Sequence, residues 1–482
     1  MMSSATSATS ATSATGDGEA RQRRDLSLVV ASVVVVLASA ATGLAVAGRQ
    51  SPPAALVPLG AVVALGIGLL AFYRFEWFLL SVIAIRATLD LTKGTKDTLE
   101  QAARSSPGVA AAVLAAMTIA AGVAWLVAHR QSERPPLSGP ATVAIVFTAA
   151  VTLSALSSTR PASTLVAAGR IGSAVMLFVL LERLFQRGVP VRRVIAAVYA
   201  SALIPLVVGL AQLASSDGQF LSSGIRRVRG TFVHPNPFAM YLAFLLLIGV
   251  ALYPHLAPRL RLAMTVFLAT GGALLVGTYT RAAWLGVLLG LVVIGALQSR
   301  RVLAGTALGV LAVAVVVPSV GARLGDLDEG RQISGGAGNS LVWRVDYWRQ
   351  VLPLANRNPV TGIGWSVTQF TTEEGKAPHS DPVRTYVEAG ALGLIVYVGL
   401  AIALARAARD AVAKARPGFE RGLAVGFAAC VVAFVLMSLV GNVVSQSVLL
   451  WYFLSFAAAA TACLNAGRGR EQAGMPAAPV LA

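Results

Sequence analysis

The chain has 482 residues, 56% of them hydrophobic and only 12% charged, with a mean hydropathy of +0.73. A water-soluble domain is about 25% charged, so the composition excludes a soluble globular fold and makes lipid the main solvent. The formal net charge of +18 does not point to nucleic acid, because the arginines fall in short segments between apolar runs, where membrane topology places them.

Residues 1–24 hold a repeated Ser-Ala-Thr tract and then Arg21, Arg23 and Arg24. Such low complexity predicts a disordered tail, and the basic cluster before the first apolar run predicts that it is cytoplasmic. Apolar runs of spanning length then recur. We read helices at 28–47, 54–72, 75–91, 107–128, 140–157, 163–185, 191–213, 235–253, 259–278, 281–298, 302–318, 383–405, 419–441 and 444–465. In lipid every backbone amide must bond internally, which leaves helices or closed barrels. These Ala/Leu/Val-rich runs lack the alternation of barrel strands. The predicted fold class is therefore all-α, a polytopic transmembrane helical bundle of about 12–14 helices.

Charge sets the expected topology. Arg183, Arg187, Arg192 and Arg193, then Arg259 and Arg261, Arg300 and Arg301, and the run from Arg406 to Arg421 all fall on one side. By the positive-inside rule that side is the cytoplasm, with both termini there. The predicted location is the bacterial cytoplasmic (inner) membrane. Lys93, Lys96 and Arg104 depart from the rule, as do Arg226, Arg227 and Arg229. The expected organisation is a tail at 1–24, helices over 25–318, an extracytoplasmic polar loop at 319–382, helices over 383–466 and a cytoplasmic tail at 467–482. Within the loop, residues 340–355 mix charged and apolar residues at helical spacing and predict an amphipathic helix. Cys430 and Cys463 lie inside apolar runs and read as packing residues.

Four segments stand out. Arg229-Gly230-Thr231-Phe232 leads into His234-Pro235-Asn236-Pro237-Phe238-Ala239 at the start of a helix. Alone, this reads as a capped helix start beside a surface arginine. Thr280-Arg281-Ala282-Ala283-Trp284-Leu285-Gly286 begins another helix, where Arg281 alone reads as a residue snorkelling to headgroups. Arg344-Val345-Asp346-Tyr347-Trp348 is followed by Asn358-Pro359 and Gly362-Ile363-Gly364, whose glycines would permit close backbone approach to a substrate. His379 precedes Glu388, Gly390 and Gly393; histidine titrates near neutrality and is the commonest general base.

In this order, over about 220–400, the motifs resemble the O-antigen ligase and O-antigen polymerase superfamily of bacterial membrane glycosyltransferases. Ser380 stands where that family usually carries Asn. The resemblance implies transfer of a glycan from a polyprenyl (undecaprenyl) diphosphate carrier to an acceptor hydroxyl, on a glycan, glycolipid or protein, at the extracytoplasmic face. It implies no cofactor and no metal. It casts His379 as the base, Arg229 and Arg281 as diphosphate ligands, and Arg344, Arg226 and Arg227 as further glycan or loop contacts. An alternative reading is a polytopic transporter or a flippase for lipid-linked glycans. That reading needs charged groups near the membrane midplane, for which Asp90 and Glu182 are the candidates.

Overall fold

The computed structural model describes residues 66–92, 109–130, 135–215, 219–220, 226–316 and 340–472. The expected helix at 28–47 lies outside the described residues, as does most of the one at 54–72. The described chain is almost entirely helical, and nine of its helices are long and apolar enough to cross a membrane, with Arg281–Leu297 a shorter apolar helix. The chain is a multi-pass membrane protein.

Contacts divide the chain into two units. In the first, Phe75 stacks on Trp125 with ring centroids 4.8 Å apart. The second holds everything from Ile83 to Gly108 and from Leu137 onward. In chain order the helices are α1 (Phe75–Arg86), α2 (Val109–Ala128), α3 (Gly139–Leu153), α4 (Pro161–Gln186), α5 (Val191–Ala200) and α6 (Leu203–Ala214). They continue with α7 (Pro235–Leu252), α8 (Pro258–Gly277), α9 (Arg281–Leu297), α10 (Arg300–Val316), α11 (Ser340–Val351), α12 (Thr368–Thr371), α13 (Asp381–Lys414), α14 (Phe419–Leu439) and α15 (Ser447–Gln472). A two-stranded ribbon pairs β1 (Gln219–Phe220) with β2 (Arg226–Arg227), antiparallel.

The core of the second unit is α7, α14 and α15. Their apolar stretches are 78%, 72% and 89% buried, against 22% for α8. Helix α4 packs along α15, α9 along α14, and α3 along α13. Small residues let these helices approach: Gly290 lies against Leu247, and Gly426 against Ile248.

Polar hydrogen bonds gather the chain segments at one end of this unit. The Thr231 hydroxyl donates to the Ala87 carbonyl at 2.7 Å. The Ser157 hydroxyl donates to the Gly362 carbonyl at 2.7 Å, and Thr164 to that of Trp365 at 3.1 Å. Arg86 reaches the Ser447 hydroxyl at 3.1 Å. The arginines at 183–193, 259–261, 300–301 and 409–421 lie in the connections at the opposite ends of these helices.

Candidate functional site

The segment leading into α7 is locked from three sides. Gln212 brackets Arg229 and Gly230: its Oε1 accepts both backbone N–H groups, at 3.0 and 2.9 Å, and its Nε2 donates to the Gly230 carbonyl at 2.9 Å. Arg227 is 6% exposed. Its Nε donates to the Thr278 carbonyl at 2.6 Å, and one terminal nitrogen reaches Asn236 Oδ1 at 2.6 Å and the Thr280 hydroxyl at 2.9 Å. This fork fixes the start of α7 against the start of α9 and so places Arg281, the first residue of α9, beside the 227–236 segment. Arg226 turns the other way and spends its donors on the Ser215 and Leu213 carbonyls at the end of α6.

His234 caps α7, its Nδ1 accepting from the Asn236 N–H at 3.0 Å. That acceptor role leaves the ring proton on Nε2. Burial, with Arg227, His379 and Arg229 nearby, pushes its pKa down from 6.5 to about 3. His234 and His379 are therefore electrostatic neighbours, although 145 residues apart by their numbers in the chain.

His379 is held by α11. The Trp348 indole donates to the Pro378 carbonyl at 2.6 Å, and the Tyr347 hydroxyl donates to the Lys376 carbonyl. Trp343 stacks on Tyr347 at 5.3 Å and meets the His379 imidazole edge-on at 5.5 Å. Lys376 lies over the Trp343 ring at 5.0 Å. The helix expected at 340–355 is thus present as α11, continued by a 3-10 turn at Leu352–Arg357. Its apolar residues Tyr347, Val351 and Ala355 close a small core with Ile363, Val367 and Val387. His379 has φ of 52°, in the left-handed region that non-glycine residues seldom adopt. Burial, then Arg344, Arg384 and Lys376, depresses its pKa from 6.5 to about 4.

Below His379, α13 breaks. Gly390 has φ of 69° and ψ of −169°, which divides the helix in two. The break frees backbone groups that pair with the 358–364 loop: Gly364 donates to the Glu388 carbonyl at 3.0 Å and Ile363 to that of Val387 at 3.1 Å. In return Ala391 donates to the Pro359 carbonyl at 2.8 Å. A Cβ on Gly390 would lie 2.2 Å from the Val360 oxygen, and one on Gly362 2.4 Å from the Glu388 carbonyl carbon. The close approach these glycines permit is thus to each other's backbone. The Glu388 carboxylate accepts from the Ser366 and Thr368 N–H groups at 2.7 and 3.2 Å and pairs with Arg384 at 2.7 Å.

The structure brings His379, Arg344 and the Arg227–Arg229–His234 segment into one electrostatic group. Arg281 follows Thr280, whose hydroxyl accepts from Arg227, in the chain. Sequence reasoning missed His234, Arg384 and Lys376. His234 lay inside a quoted motif and gave no signal beyond its residue type. Arg384, four residues before Glu388, offered the i,i+4 spacing of a helical ion pair. The candidates for a transport reading are both engaged. Asp90 pairs with Arg86 at 3.5 Å, while Glu182 accepts from the Ser138 N–H and the Thr461 hydroxyl, both at 3.1 Å.

A family model described as O-Antigen ligase matches residues 264–398. That stretch runs from within α8 through α9, α11 and the His379 loop to the break in α13. The superfamily that the chain resembles is thus the O-antigen ligase superfamily. No curated protein matches the chain.

Proposed function

We propose that this protein transfers a glycan from a polyprenyl diphosphate carrier to an acceptor hydroxyl, in the cytoplasmic membrane, at the end of the bundle that carries the His379 loop. That end faces away from the cytoplasm, since the arginine-rich connections lie at the other. The observation that carries the reading is His379 itself. It sits in a strained backbone conformation, braced by Trp343, Tyr347 and Trp348, among guanidinium groups, within the segment matched by the O-antigen ligase model.

In this scheme the acceptor O–H gives its proton to a free nitrogen of His379. The oxygen forms a bond to the anomeric carbon while the bond from that carbon to the diphosphate breaks. The bonding pair leaves on the diphosphate, whose added charge Arg229 and Arg281 hold. A pKa near 4 keeps His379 neutral at physiological pH, ready to accept a proton but a weak base. A bound diphosphate supplies negative charge that raises this pKa toward neutrality, so the base gains strength when substrate arrives. Arg344 supports the loop and the glycan, and the reaction uses no metal.

The test is product analysis with purified protein, a polyprenyl-diphosphate glycan and an acceptor. His379→Ala and Arg281→Ala each abolish transfer while the protein remains inserted and folded. Full transfer by either variant refutes the site. Carrier movement across the bilayer without any transfer product would favour the flippase reading instead.

A further inference from the structure

Gln212 stands near the end of α6, outside the stretch matched by the O-antigen ligase model and outside the four segments that carry the resemblance. The reaction scheme leaves it without a role. Its three hydrogen bonds all fall on one dipeptide. Oε1 accepts from the Arg229 and Gly230 N–H groups at 3.0 and 2.9 Å, and Nε2 donates to the Gly230 carbonyl at 2.9 Å. Gly230 lies so close to the same helix that a Cβ there would meet the Pro205 oxygen at 3.0 Å.

Three neighbouring arginines differ in where their guanidinium groups go. Arg226 gives its donors to the Ser215 and Leu213 carbonyls, and Arg227 gives its own to Thr278, Asn236 and Thr280. Arg229 makes one side-chain hydrogen bond among the described residues, to the Val233 carbonyl at 3.5 Å, the outer limit for such a bond. Its head is almost unheld, so its direction is set at its root. The root is held tightly. The Arg229 N–H belongs to the peptide plane before its Cα, and the Gly230 N–H to the plane after it. By accepting from both, one amide oxygen fixes the two rigid planes that flank Arg229 Cα, and with them the direction of its Cα–Cβ bond. The Val228 N–H, donating to the Gly277 carbonyl at 2.9 Å, anchors the preceding residue to α8.

We propose that Gln212 is the positioning residue of Arg229, aiming its guanidinium at the leaving group of the lipid-linked donor. The proposal rests on the reading of Arg229 as a ligand of that group. Gln212 touches neither substrate. It acts through the backbone of one residue, from a helix whose opposite face, at Leu203, Val207 and Leu210, is exposed and apolar. Without the amide, two N–H groups lose their acceptor and both peptide planes can turn, which swings the long Arg229 side chain out of line.

Transfer kinetics of the purified full chain test this, with a polyprenyl-diphosphate glycan and an acceptor varied in turn. Gln212→Met keeps the side chain's length and removes all three hydrogen bonds. Its kcat/KM for the donor falls about tenfold or more, its donor KM rises, and its acceptor KM stays at the wild-type value. A merely structural role would lose folded enzyme and lower the maximal rate with both KM values unchanged. A second readout is the double variant. Arg229→Ala leaves Arg281 to hold the diphosphate, and adding Gln212→Met to it costs nothing further, because the residue being aimed is gone. Where that background is too slow to read, the KM split decides alone. An unchanged donor KM in Gln212→Met, an equal rise in acceptor KM, or a full further loss in the double variant overturns the proposal. If Gln212→Met does not fold, Gln212→Asn, one methylene shorter, carries the same expectations, and failure of both to fold overturns it too. Wild-type transfer by Arg229→Ala refutes the functional role of Arg229 and this inference together, whereas an inactive Arg229→Ala beside an unimpaired Gln212→Met refutes the inference only.

Discussion

Acid is the perturbation that interrogates His379 most directly. Folding drops its pKa from 6.5 to about 4, chiefly by burial and then by Arg344, Arg384 and Lys376. Between those values the unfolded chain binds a proton that the folded chain refuses. Stability therefore falls as pH falls from about 6.5 to about 4, and below that this ring takes nothing further, because both states bind the proton. The drop corresponds to about 3 kcal/mol. His234, depressed to about 3, adds a loss of the same sign, and each ring charge raises the cost of charging the other. The assay is the thermal unfolding midpoint of detergent-solubilised wild type and His379→Asn between pH 7 and pH 4. Wild type loses stability across this window, and the variant, lacking one titrating ring, loses markedly less. Matching pH dependence in the two proteins would refute the depressed pKa and with it the neutral base. Initial transfer rates at low substrate carry a matching signature: their acid limb lies near pH 4, where free His379 titrates, well below the 6.5 of an unperturbed histidine.

Three further outcomes are expected. Glu388→Ala strands the buried Arg384 guanidinium and the Ser366 and Thr368 N–H groups; it costs about 3–5 kcal/mol, read as a large fall in melting temperature. Gly390→Ala places a methyl against the Val360 carbonyl at a φ of 69°, so the 358–364 loop separates from α13; limited proteolysis cuts that loop faster than in wild type. Trp348→Phe removes the hydrogen bond to Pro378 while keeping most of the ring's packing; the transfer rate falls with little change in carrier affinity, because His379 loses alignment rather than a ligand contact.

Most predicted helices from 107 onward coincide with observed ones within a few residues, for a reason particular to lipid. A backbone in hydrocarbon must satisfy its own amides, so an apolar run of sufficient length has one available form. The expected helix at 75–91 is shorter, ending at Arg86 with a 3-10 turn at Leu89–Thr92. There Arg86 reaches across to Ser447 and Asp90 turns back to pair with it. The motif order was likewise legible, because Arg229, Arg281, Arg344 and His379 lie in recognisable local strings.

The sequence alone determined that this chain is a helical membrane protein, where its helices run, and that one long polar segment interrupts them. Tertiary structure alone decided which way each helix faces. Lipid-facing and buried surfaces are both apolar here, so the 3.6-residue contrast that orients a soluble helix is nearly erased. For that reason nothing local could show that Arg227 clamps Thr278 and Asn236, or that Glu388 caps a turn twenty residues earlier. Each of these relations is a polar contact between distant segments, made where water cannot satisfy the groups and only the fold can.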